Sequence, residues 1–216
     1  MKEPKHPTKQ TYSRLDQAYD HLNATLFSGL LPACLITWQR QRGAYGYFSP
    51  AKFRGMYDND ETDEIALNPA KFEGTTQRDI LGTLAHEMVH CWQRHHGRPP
   101  RKSYHNREWA SKMREIGLIP SNTGKPGGKE TGQRMDHYID EHGTFSHAAN
   151  EILENGPVVQ HQDQVDDATR KKKAASKTKY SCPTCDLNAW AKPEANLWCG
   201  DCEEPMKPEI RDDENA

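Results

Sequence analysis

Apolar side chains recur at three- and four-residue spacing from residue 11 to 28, through Tyr12, Leu15, Tyr19, Leu22 and Leu26. That is the period of a helix with one buried face, and Gly29 and Pro32 stop it. The period then shortens to two. Three strands are expected, at Leu35 to Arg40, Ala44 to Ser49 and Glu64 to Asn68, with Tyr45 and Tyr47 on one face of the second and Ile65 and Leu67 on one face of the third. Helical spacing returns after Thr75 or Thr76, either of which suits an N-cap ahead of Gln77 to Asp79. A loop from Gly97 to Tyr104 leads into a further helix over about Asn106 to Ile116. Its inner side is Trp109, Met113 and Ile116, and its stop is Gly117.

Beyond that helix the pattern weakens. Residues 121–134, SNTGKPGGKETGQR, read as an exposed loop, and residues 144–154 as a short helix capped by Thr144. From Pro157 to Lys179 the chain is polar, contains the run RKKKAASKTK and reads as linker. The expected organisation is a core at 10–120, a loop and short helix at 121–156, a basic linker at 157–179 and a small cysteine module at 180–208.

Composition sets bounds on this picture. A chain of 216 residues holds one medium domain with an appendage. Only 34% of its residues are hydrophobic and mean hydropathy is -1.02, so the core should be modest. A net charge of -2 excludes a global basic field, leaving any nucleic-acid contact to a local patch. No run approaches the roughly 20 apolar residues of a membrane span, and MKEPKHPTKQ has no apolar stretch behind it. The expectation is a soluble chain without a membrane partner, in the cytoplasm or, if it binds DNA, at the nucleoid.

The predicted helix after Thr76 carries the chemistry. With about 100° per residue, Leu84, Ala85, Met88 and Trp92 fall within about 60° of Leu81, and His86, Glu87 and His90 fall on the opposite, polar half. Histidines at i and i+4 stand one turn apart on one face, so both can reach one zinc ion, with the intervening Glu87 as general base. A solvated polar face that spells HExxH by chance is the plain alternative. A catalytic zinc needs a third protein ligand. His96 has the spacing of HExxHxxGxxH, but Gln93 stands at the bending glycine, and on a continuing helix His96 rises too far along the axis. Glu108 and Glu115 are rivals. His105, after a Gly-Pro-Pro loop able to fold back, is the better candidate; His95 and His96 read as surface residues near the helix end.

The six cysteines divide. Cys34 and Cys91 are isolated in apolar stretches and read as small buried side chains. Cys182, Cys185, Cys199 and Cys202 form CPTC and CGDC, the spacing of a four-cysteine structural zinc site. A module this small cannot bury a sufficient core, so the metal would supply most of its folding energy. Strands at Ala189 to Ala191 and Leu197 to Trp198 would form a hairpin between the two pairs.

The stretches LNATLFSGLLP, ITWQRQRGAYGYFSP, DEIALNP, TLAHEMVH and YHNREWASKMREIGL together resemble the SprT-like metalloproteases, a family that includes the Spartan proteases of DNA–protein crosslinks. The resemblance runs from about Tyr12 to Pro120. It implies an α+β, zincin-like catalytic fold: an N-terminal helix, a small sheet and two zinc-site helices. It also implies zinc ligands at His86, His90 and His105 and a catalytic glutamate at Glu87. Where the family commonly has HG-x-x-F, this chain has HNREW at 105–109, with Trp109 in the aromatic position. A C-terminal cysteine module recurs in bacterial relatives, here as a zinc ribbon.

Two functions follow as expectations. The first is a zinc endopeptidase with one catalytic and one structural Zn2+, acting on DNA-bound or DNA-crosslinked proteins. In that reading Arg170, Lys171, Lys172, Lys173, Lys177 and Lys179 contact phosphates, while Tyr180, Trp190 or Trp198 stacks on a base. By the residues alone, a solvated linker and a ribbon whose aromatics form its own core explain this region equally well, and the resemblance favours DNA. The second function is a DNA-binding or transcription-associated factor with structural zinc sites and little peptidase activity.

Overall fold

Pro7 opens the first helix, α1 (Pro7–Phe27), where the missing N–H of proline costs nothing, so the helix begins earlier than its apolar stripe. Leu15, Ala18, Tyr19, Leu22 and Leu26 form that stripe and are buried. Ser28, in the left-handed conformation, and Gly29 then end the helix. The computed structural model describes residues 6–101, 104–164 and 177–209, and the chain divides into two units, Met1–Asp163 and Gln164–Ala216.

Three strands follow α1: β1 (Leu35–Trp38), β2 (Gly46–Arg54) and β3 (Glu61–Leu67). Their order is β1-β3-β2, with β1 parallel to β3 and β2 antiparallel to it. The expected one-sided alternation in the third strand gives way to a run from Asp63 to Leu67 that is buried throughout, because β3 lies in the middle of the sheet. The β2–β3 register shifts between Ser49 and Phe53, and the N–H of Ala51 in that irregular stretch donates to Asp63 Oδ1 at 2.7 Å.

Thr76, not Thr75, caps α2 (Gln77–His96): its side chain accepts from the N–H of Asp79. Ile80, Leu81, Leu84, Ala85, Met88 and Val89 bury the apolar face of α2 in the main core. Asn106 caps α3 (Arg107–Glu115), whose Trp109, Ala110 and Met113 complete that side.

Several expectations change from here on. The expected loop at 121–134 joins the two strands of a hairpin not expected from the sequence, β4 (Leu118–Ser121) with β5 (Asp136–Ile139). Thr144 does not cap α4 (Thr144–Glu154). Gly143 holds the cap position, without a side-chain hydrogen bond. Phe145, Ala148, Ala149 and Ile152 of α4 join the main core. The stretch after Pro157 is not linker at its start, since Val158 and Val159 are buried. Gln77 fixes them, its Oε1 accepting from both N–H groups at 2.9 Å and its Nε2 donating to the Val159 carbonyl at 2.8 Å. Arg40 then pairs with Asp163.

The second unit contains β6 (Thr178–Ser181), β7 (Asn188–Ala191), β8 (Trp198–Cys199), β9 (Glu204–Pro205) and β10 (Lys207–Pro208). The expected pairing of 189–191 with 197–198 is replaced: β7 pairs with β6, and β8 with β9. Each CxxC knuckle is itself the turn of a hairpin. Around the first, Cys182 N–H donates to the Leu187 carbonyl and Asp186 takes a positive φ of 57°, so its flanking strands pair with each other.

Candidate metal centre

His86, Glu87 and His90 lie in the middle of α2, and His105 lies just ahead of the α3 cap. One nitrogen from each of His86, His90 and His105 falls within 4.8 Å of the other two. His90 Nε2 and His105 Nε2 are 3.1 Å apart. Zinc–nitrogen bonds of about 2.0–2.1 Å in a tetrahedral site place two nitrogens roughly 3.3 Å apart, so the arrangement fits that ion. The loop after α2 folds back as its length allowed.

His105 owes its position to the segment read as a loop. It exchanges both backbone hydrogen bonds with Gly132, and its Nδ1–H donates to the same Gly132 carbonyl at 3.1 Å. A carbonyl can only accept, so the proton sits on Nδ1 and the Nε2 lone pair is left to face the cluster. Gln93, the residue at the bending-glycine position, staples the two helices: its Nε2 donates to Asn106 Oδ1 at 2.9 Å and to Glu108 Oε2 at 2.7 Å. Glu108 also accepts from Arg98 N–H, and Glu115 pairs with Lys112, so these two rival ligands are engaged elsewhere. Asn106 caps α3 with φ -88°, a conformation that does not require glycine.

Other elements cover much of the core-averted face of α2 where the histidines stand. His86 is 8% exposed and Glu87 6% exposed, while His90 is half-buried and marks the accessible side. Trp109, fully buried, lies beneath all three imidazoles, with ring centroids 4.9, 5.6 and 4.4 Å from His86, His90 and His105. On another side, the start of β2 closes on Glu87. A Cβ added at Gly46 would stand 3.2 Å from Glu87 Oε1 and 2.8 Å from the Ala66 carbonyl, so only glycine lets the strand approach this closely.

Burial sets the protonation of the cluster. It holds His86 well below the ordinary histidine value, with the neighbouring histidines adding to the effect, and it lowers His90 to about 3 and His105 to a lesser degree. Burial pushes the Glu87 carboxyl up to about 8, against a backbone N–H from Phe48 that favours its charged form. Among the described residues no Lys or Arg side chain is hydrogen-bonded to this group. Neutral imidazoles with converging lone pairs, beside a carboxyl without a cationic partner, are the donor set of a dication site.

His137 was not foreseen. It comes from β5, is largely buried, and sets its Nδ1 3.3 Å from His86 Nδ1, which leaves Nε2 of His86 for the cluster. Gly82 admits it: a Cβ there would stand 2.8 Å from His137 Nε2. A glycine in the middle of an amphipathic helix was the available signal of such a close approach. His95 and His96 are engaged, His95 Nε2 with Asp63 Oδ2 at 2.7 Å and His96 Nε2 with the Leu30 carbonyl at 3.0 Å.

The SprT-like family model matches residues 15–126, about half of the chain, and spans all four of these centre residues. The chain belongs to the SprT-like family. A Salmonella typhimurium protein described as "Uncharacterized protein in mucB 3'region" is 49% identical over 59 residues, 27% of this chain and 80% of that protein. SprT-like proteins are generally zinc metalloproteases, and the histidine cluster agrees with a function of that type.

In the second unit the four ribbon sulfurs also lie within 4.8 Å of one another, an arrangement compatible with a zinc ribbon. Backbone N–H groups of Cys185 and Thr184 draw the Cys182 thiol down to about 7, toward the thiolate a metal needs. Tyr180 is buried as part of the ribbon's own core, its hydroxyl donating to the Lys192 carbonyl and accepting from Ala195 N–H, so it is not a stacking surface. Trp190 and Trp198 are each 62% exposed. Lys177 is exposed and Lys179 pairs with Glu209, whereas Arg170, Lys171, Lys172 and Lys173 lie outside the described residues. Among the described residues no helix is long and apolar enough to cross a membrane.

Proposed function

We propose that this SprT-like chain is a zinc-dependent endopeptidase in which His86, His90 and His105 hold the ion and Glu87 is the catalytic base. The observation that carries the reading is the convergence of three imidazole nitrogens, one fixed in its tautomer by Gly132, next to a buried carboxyl one residue from the first ligand. Bound there, the ion supplies a Lewis acid that polarises a scissile carbonyl and acidifies water. Glu87 takes the proton from the attacking water and gives it to the leaving amine. A carboxyl one residue from the first ligand is placed for both transfers. Gly132 and His137 set the imidazole orientations, and Trp109 supplies a rigid floor beneath them.

We also propose that the substrates are proteins on DNA, held near the site by the ribbon. What supports this is the pair of exposed tryptophans on the ribbon, the basic residues ahead of it and the family likeness. Replacing His105 with Ala tests the first reading: one zinc per chain and cleavage of an unfolded protein substrate should be lost together, and retained cleavage would refute it. Removing residues 164–216 tests the second. Affinity for single-stranded DNA should fall, and equal affinity would refute it.

A further inference from the structure

Cys34 and Cys91, read from the sequence as isolated buried thiols, meet in the fold. Cys34 lies in the segment leading into β1 and is half-buried; Cys91 follows His90 in α2 and is fully buried. Their sulfurs are 3.8 Å apart. Asp63 of β3 joins them, so that two sulfurs and a carboxylate oxygen, from three separate segments, lie within 4.8 Å of one another.

Two sulfurs bound to one tetrahedral zinc at about 2.3 Å stand roughly 3.8 Å apart. The ribbon's Cys185 and Cys199 show nearly the same separation, 3.7 Å. Asp63 is the second argument. Its side chain is 10% exposed, and among the described residues no Lys or Arg is paired with it. Its Oδ1 accepts from Ala51 N–H and its Oδ2 faces His95 Nε2, each at 2.7 Å. A carboxylate fixed by a backbone amide and an outer imidazole has the support that metal-ligating carboxylates receive. Cys91 and His95 are four residues apart in α2, so one helical face supplies both a donor and the partner of a donor, as His86 and His90 do one turn earlier. Tyr19 adds a hydroxyl 3.6 Å from Cys34 Sγ.

We propose that Cys34, Asp63 and Cys91 form a further metal site, separate from the histidine centre and the ribbon, for a thiophilic divalent cation such as Zn2+. Its role is structural. It ties the segment before β1, the central strand β3 and helix α2 to one point, and through Ala51 it fixes the irregular part of β2. The proposal does not depend on peptidase activity.

The test is metal analysis of the full chain, purified reduced, saturated with Zn2+ and freed of excess. Wild type should hold one zinc more than Cys34→Ser/Cys91→Ser, whereas His86→Ala should lose a different one, which separates this site from the proposed catalytic centre. Asp63→Asn keeps both thiols and guards against misfolding of the double variant. It should release the additional zinc to a chelator at least about tenfold more readily. Loading with cadmium-113 should give a resonance for a mixed sulfur and oxygen site, distinct from the four-sulfur and three-nitrogen signals and absent from Cys34→Ser. Equal metal content in wild type and the double variant would overturn the proposal. So would unchanged retention in Asp63→Asn, or a Cys34–Cys91 disulfide in the native chain in place of the metal.

Discussion

Glu87→Gln should alter the pH response of the metal-free chain, apart from any effect on catalysis. The wild-type carboxyl is raised by burial from the ordinary 4.5 to about 8. A group whose folded value is raised binds its proton more tightly in the folded chain. Its contribution to stability is therefore complete below about pH 4.5 and is lost as pH rises through 8. Glutamine has the same shape and no proton to lose. The histidines titrate alike in both proteins and drop out of the comparison. Between pH 5 and 7 the variant should gain on wild type by about 1.4 kcal/mol per pH unit, or about 3 kcal/mol across the window. For a unit of this size each kcal/mol moves the melting point by about 2–4 °C, so the gap should widen by roughly 6–12 °C. Thermal scans of the chelator-treated proteins at pH 5, 6 and 7 measure it. A gap that stays constant across those pH values would refute the claim that Glu87 is buried without a charged partner.

Burial lowers the three cluster histidines, His90 to about 3, so protons should compete with zinc only well below the ordinary value of 6.5. Dialysis at stepped pH should find the histidine-bound zinc retained at pH 5.5, and release centred near 6.5 would contradict the burial argument. On the ribbon, Trp190→Ala and Trp198→Ala should each weaken binding of single-stranded DNA by about 1–3 kcal/mol while leaving ribbon zinc unchanged, read by fluorescence anisotropy and metal analysis. Unchanged affinity in both would remove the tryptophans from any DNA surface.

What the sequence made legible was local. HExxH states its geometry within one helical turn, CxxC states its own knuckle, and Asn106 three residues before Trp109 marks the start of α3. His105 could be singled out because the preceding loop was long enough to fold back. What escaped was what distant segments do to those residues. The wheel turned the histidine face of α2 away from the apolar one, and within the helix Gly82 alone hinted at a close neighbour there; that β2, β5 and the α3 entry close over it follows from distant segments. Gly132 lies in a stretch whose Gly, Lys and Thr content spoke only of loop, His137 lies just beyond it, and their use depends on pairing with His105 and packing against Gly82. Val158 and Val159 sat in a polar surround that masked two anchors. The meeting of Cys34 with Cys91, 57 positions apart, is a property of the fold and of no short motif.

The most direct test of the central claim compares wild type with Glu87→Gln. Both are assayed for zinc content and for cleavage of a DNA-binding protein, with and without single-stranded DNA. The account predicts equal zinc in the two proteins, cleavage by wild type that DNA increases, and a rate in the variant lower by about 10²–10⁴-fold. Equal cleavage by both at equal zinc content would contradict it.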